Sequence, residues 1–131
     1  MRADHATPLS LTAHRGQIVL VDFWTSWCTP CRQAMPFYDT LYRRFRDRGF
    51  EIVAINVDED ADEAYAFLAR HPVTFESSFD PRGECPQRYG LKVMPSSYLV
   101  DRDGRLQAVH AGFRDSEAAA IERDVERLLA P

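Results

Sequence analysis

Hydrophobic and polar positions alternate along the chain in a pattern that changes period several times. Ile18–Trp24 (IVLVDFW) is almost wholly apolar, β-branched and aromatic, which predicts a central strand covered on both faces, with Asp22 as its one interruption. Over residues 29–48, Met35, Tyr38, Leu41, Tyr42 and Phe45 recur at helical spacing, so a helix is expected that ends at Gly49, kinked by Pro36. Residues 50–57 (FEIVAINV) repeat the buried-strand pattern, and two such strands joined through a helix form a right-handed βαβ unit. A second helix is expected over 60–70, turning Ala64, Phe67 and Leu68 inward. A short strand within 73–79, a turn at Asp80-Pro81-Arg82-Gly83 and a short helix over 84–89 follow.

Ser96–Val100 and residues 105–111 flank Asp101-Arg102-Asp103-Gly104, whose Asp-Gly ending signals an antiparallel hairpin. Asp115–Leu129 closes the chain as a helix with Ala118, Ile121, Val125 and Leu128 on its buried side. Residues 8–11 are a candidate edge strand. This order predicts an α/β fold with a central mixed β-sheet flanked by helices on both faces. No repeat, low-complexity tract or linker divides the chain, so one domain over residues 1–131 is expected, with residues 1–7 flexible.

At 131 residues the chain can bury a core without staples, so its three cysteines are not needed as a disulfide framework. The net charge of −4 argues against nucleic-acid binding, and Arg43, Arg44, Arg46 and Arg48 read as the solvated end of the first helix. No apolar run reaches the roughly 20 residues of a membrane span. The first eight residues lack the pattern of a secretory signal, although an anchor or signal could have been removed ahead of them.

The candidate chemistry lies at Trp27-Cys28-Thr29-Pro30-Cys31, where the first strand gives way to the first helix. Two thiols three positions apart at a helix start can approach to disulfide distance. Cys28 is expected exposed at the helix start, where free N–H groups and the helix dipole favour a thiolate, and Cys31 one turn in as the resolving thiol. A zinc site would need further ligands, and His71, His110 and Cys85 form no second cluster at metal spacing, so no metal is expected. Two other readings are a Cu(I)-handling protein using the same thiols and an interaction module with an idle dithiol. Cys85 has no partner nearby in sequence and reads as a structural thiol.

The segment Leu20 to Cys31 (LVDFWTSWCTPC) closely resembles the active-site segment of the thioredoxin superfamily, and Met94-Pro95 is similar to its cis-proline loop. Ile55-Asn56-Val57-Asp58-Glu59, Phe79-Asp80-Pro81-Arg82-Gly83 and Ser97-Tyr98-Leu99-Val100-Asp101-Arg102-Asp103-Gly104 resemble the TlpA/ResA-like, or redoxin, branch found in bacterial envelopes. The resemblance implies the thioredoxin fold and thiol-disulfide oxidoreductase activity toward partner proteins. It implies protein disulfide or dithiol substrates, an upstream electron donor, no cofactor, a monomer, and a periplasmic or envelope location, with the cytoplasm as the alternative.

By the same resemblance Asp22 would sit behind Cys31 and exchange protons with it, and Pro95 would be cis, leaving the Met94 backbone free to pair with substrate. Trp27 would combine packing with shaping of the active-site surface, Trp24 would chiefly pack in the core, and Thr29-Pro30 would be one influence among several on the reduction potential. Many members of this branch carry a neutral residue at the position of Asp22 and use a glutamate in the loop after the second strand. This chain has both Asp22 and a candidate for that glutamate, Glu59.

Overall fold

The computed structural model describes residues 16–80 and 94–130. Their elements are β1 (Ile18–Trp24), α1 (Thr29–Phe45), β2 (Phe50–Asn56), α2 (Ala61–Arg70), β3 (Ser77–Phe79), β4 (Ser96–Val100), β5 (Leu106–Ala111) and α3 (Asp115–Leu129). The candidate edge strand over 8–11, the helix over 84–89, most of the turn before it, and Cys85 lie outside the described residues.

The five strands form one mixed sheet in the order β3-β2-β1-β4-β5. β1, β2 and β3 run parallel, while β4 is antiparallel to both β1 and β5. Both right-handed crossovers step in the same direction along the sheet, so α1 and α2 must lie on the same face. A single apolar cluster accordingly joins Met35, Tyr38 and Leu41 of α1, Phe67 of α2 and Ile121 and Val125 of α3 to Leu20, Trp24, Ile52 and Leu99 of the strands. The alternate strand residues Val19, Val21, Phe23, Val53, Ile55, Tyr98 and Val100 are buried on the opposite face. Thus the three described helices share one face, although both faces of the sheet are covered. Every residue of β1 is buried, as its unbroken apolar run requires.

α1 runs through Pro36 without interruption, and its last turn tightens into a 3₁₀ turn over Arg46–Arg48 before Gly49. Arg44 reaches across to α3, with its guanidinium 2.9 Å from Glu122 and 3.6 Å from Glu126, so part of the arginine cluster ties two helices together. In α3 the deepest residue of the last turn is Leu129, whereas Leu128 is half-buried, a one-residue rotation of the expected stripe.

Gly49 has φ of +90°, a left-handed conformation that costs a side chain its ease of fit. A Cβ there would also stand 2.6 Å from Arg102 Nη1, whose guanidinium donates to the carbonyls of Gly16 (2.9 Å) and Arg48 (3.2 Å). Gly49→Ala is predicted to lower unfolding stability by about 1 kcal/mol or more. Denaturant melts read this loss, and an unchanged midpoint would contradict it.

Candidate active site

β1 delivers its end, Trp24, to the start of α1, and the short link between them is fixed from below. Asp58 is 2% exposed and accepts hydrogen bonds from Ser26 N (2.9 Å), Ser26 Oγ (3.1 Å) and Asn56 Nδ2 (2.8 Å). Its own N–H donates to Asn56 Oδ1 at 2.9 Å. A carboxylate with this many donors is well satisfied despite its burial. Trp24 is anchored as well, its indole N–H donating to Ser77 Oγ at 3.1 Å and its carbonyl accepting from Val57 N at 3.0 Å.

The link ends at Cys28, the N-cap of α1, whose Sγ accepts the backbone N–H of Cys31 at 3.3 Å. Sulfur therefore takes the place usually held by a capping oxygen. An exposed Cys28 is expected from the sequence, but it is only 7% exposed: it packs in the apolar cluster, and the Met94 carbonyl lies over it at 3.7 Å and accepts from its thiol. Cys31, one turn on, is completely enclosed. Burial pushes the Cys31 thiol far above its ordinary range; a hydrogen bond to Cys28 and the charge of Asp22 add to that, against a lowering contribution from the Thr25 backbone. Cys31 is thus a thiol that keeps its proton.

Asp22 is 0% exposed, and neither carboxylate oxygen has a hydrogen-bond partner among the described residues. Burial raises its pKa well above the usual carboxylate range, and the Tyr38 hydroxyl, which faces it without closing a good hydrogen bond, offsets this only in part. The site therefore brings together Asp22, Cys28, Cys31 and Met94, and the Met94–Pro95 peptide bond is cis. Trp27 lies on the surface beside them, 68% exposed, with Thr29 exposed and Pro30 in the first turn of α1. Glu59 is exposed, and the acid of its loop that reaches the active-site segment is its neighbour Asp58.

Sequence reasoning passed over Asp58 and the hydroxyl of Tyr38. The alternation of β2 held the signal for the first, since Asn56 and Asp58 share the parity that faces α1 while Val57 packs with the opposite cluster. Next to the site, a cleft of about 740 Å³ between α1 and α2 is lined by Thr29, Arg32, Phe67, Arg70 and His71, and neither Cys28 nor Cys31 lines it.

A paired dithiol at the first turn of a helix that leaves the central strand of a mixed sheet defines a thioredoxin-type domain. The chain belongs to the Redoxin family, which it matches over residues 2–129. It is 33% identical over 98 residues to the thiol-disulfide oxidoreductase ResA of Bacillus thuringiensis subsp. konkukian, covering 75% of this chain and 57% of that protein. It is 31% identical over 118 residues to ResA of Geobacillus kaustophilus, covering 90% of this chain and 67% of the relative. The chain thus spans rather more than half the length of these relatives. A protein assigned as the thiol:disulfide interchange protein DsbE of Chlorobium tepidum superposes with a TM-score of 0.89 at 40% identity, covering 92% of this chain and 85% of that one. StoA of Bacillus subtilis shares the fold, with a TM-score of 0.72 at 24% identity over 83% of this chain and 82% of its own.

The raised pKa of Asp22 has a consequence for stability. Above the ordinary carboxyl pKa the unfolded chain releases this proton while the folded one keeps it, so stability falls as pH rises until Asp22 itself ionises in the fold. Asp22→Asn removes the effect. Its gain over the parent is predicted to be small in acid and to grow by about 1.4 kcal/mol per pH unit until that ionisation. Unfolding curves collected from mildly acidic to alkaline pH test this, and curves that stay parallel would contradict it.

Proposed function

We propose that this protein is a thiol-disulfide oxidoreductase that reduces or exchanges disulfides in partner proteins. The observation that carries the reading is Cys28 Sγ capping α1 at 3.3 Å from Cys31 N, with the enclosed Cys31 and Asp22 directly behind it. Negative charge on Cys28 would be met by that N–H and by the positive end of the helix. The names of the ResA relatives and of the Chlorobium tepidum DsbE structure support the same chemistry.

In this reading the Cys28 thiolate attacks one sulfur of a substrate disulfide. That S–S bond breaks, one substrate sulfur leaves as a thiolate, and a mixed disulfide with Cys28 forms. Once Asp22 has released its own proton to solvent, Cys31 gives its proton to the Asp22 carboxylate and attacks Cys28 Sγ, expelling the second substrate thiolate. The substrate gains two electrons and the protein is left with a Cys28–Cys31 disulfide, which an upstream dithiol donor must reduce. Exposed Trp27 and the Met94 backbone would form the face that receives the substrate segment. An envelope location, where disulfides persist, belongs to the same proposal. No helix among the described residues is long and apolar enough to cross a membrane.

Cys28→Ser is predicted to abolish insulin reduction, and Cys31→Ser to accumulate mixed disulfides visible on non-reducing gels; full activity in the Cys28 variant would rule the mechanism out. Asp22→Asn should slow turnover near neutral pH and remove one ionisation from the pH–rate profile. An unaltered profile would strip Asp22 of its assigned role.

A further inference from the structure

Residues paired across neighbouring strands project from the same face of a sheet. Asp22 of β1 stands opposite Ser97 of β4, and Ser97 stands opposite His110 of β5. The three side chains form a polar row on the helix-covered face, although the adjoining row on that face is Leu20, Leu99 and Ala108. On the other side of Asp22 the row continues as Ala54 of β2 and then Ser77 of β3, whose hydroxyl accepts the indole N–H of Trp24. From α1 the Tyr38 hydroxyl faces both Asp22 and Ser97, its ring held between Phe37 and Phe113 at centroid distances of 5.8 and 6.0 Å. At the outer end His110 Nε2 faces Asp124 Oδ2 of α3 at 3.2 Å without closing a hydrogen bond, with 11% and 20% of the two side chains exposed. Arg127 Nη2 lies 3.7 Å from the other oxygen of Asp124.

The row is sealed at one end and wet at the other. Asp22 is 0% exposed and Ser97 and Tyr38 are 1% exposed, whereas Asp124 reaches solvent two strands away, roughly 10 Å from β1 in the plane of the sheet. Polar side chains in such a row cost stability unless they are used or fully bonded.

We propose that Tyr38, Ser97, His110 and Asp124 form an outlet that conducts the proton of Asp22 to solvent at α3, remote from the mouth where substrate binds. The inference rests on the oxidoreductase reading above. When the mixed disulfide has formed, substrate covers Cys28, and the enclosed Cys31 must then lose its proton. Asp22 accepts that proton only after releasing its own. The released proton passes by the hydroxyls of Tyr38 and Ser97 to His110, which hands one on to Asp124 and water. Resolution then completes as written above, and the departing substrate thiolate takes a proton from solvent. His110 and Asp124 touch no substrate and act through Asp22, so they are positioning residues. Among the described residues, the titratable or charged groups around the row are Cys31 and Tyr38 from α1, His110 from β5, and Asp124 and Arg127 from α3.

The test is single-turnover stopped-flow with the reduced full chain, using insulin as a substrate that covers the mouth and hydroxyethyl disulfide as one that leaves it open. His110→Gln and Asp124→Asn should each slow resolution with insulin by about tenfold or more and displace its pH profile toward alkaline pH, with hydroxyethyl disulfide affected less than about twofold. Asp124→Glu should restore the insulin rate. If both variants match the parent with insulin, or if they slow both substrates alike with an unmoved pH profile, the outlet is overturned while the oxidoreductase reading stands. A parent protein that reduces neither substrate overturns both.

Discussion

The site depends on one constraint, a carboxyl group held inside an apolar strand. β1 must be buried along its whole length to seat α1, and Asp22 goes in with it. A buried carboxylate without a partner costs several kcal/mol, so the group retains its proton well above the pH at which a surface acid would lose it. Cys31 lies in the same enclosure and is held protonated chiefly by the same cause. Burial thus raises both acids together and favours the uncharged form of each inside the enclosure.

Cys28 occupies a different environment a few residues away. Though it packs in the same apolar cluster, its sulfur meets main-chain polar groups, the N–H of Cys31 on one side and the carbonyl of Met94 on the other. The link that carries it is fixed by Asp58, whose carboxylate takes the N–H and hydroxyl of Ser26 while Asn56 holds it from β2. The dithiol is therefore asymmetric by construction, one sulfur placed by main-chain polarity and the other by exclusion of water.

Most of the architecture was legible in the sequence because its signals are local. The apolar run of β1, the stripe of α1 and the Asp-Gly hairpin each specify an element, and the Cys28–Cys31 spacing specifies its chemistry. The features that escaped depend on which residues meet across elements. Glu59 and Asp58 are adjacent acids, and only the continuation of strand parity past Asn56 separates the exposed one from the buried one. Tyr38 occupies a helix position where any large apolar residue would satisfy the pattern, and its hydroxyl gains meaning only when β1 is set beneath it. His110 gave no signal alone, since its neighbours Ser97 and Asp124 come from two other elements. The cover over Cys28 also comes from a distant part of the chain, the loop at Met94, which no local pattern reveals.

Arg102 is instructive for where it is. From the hairpin turn after β4 its guanidinium clasps the carbonyls of Gly16 and Arg48, the residues that lead into β1 and β2. All of these lie at the pole of the sheet opposite the thiols, separated from them by the length of β1, roughly 20 Å for its seven residues. The Arg102 fastening stands at one pole and reactivity at the other, so the residues between the two cysteines can vary, and with them the ease of oxidation, without disturbing this closure of the fold.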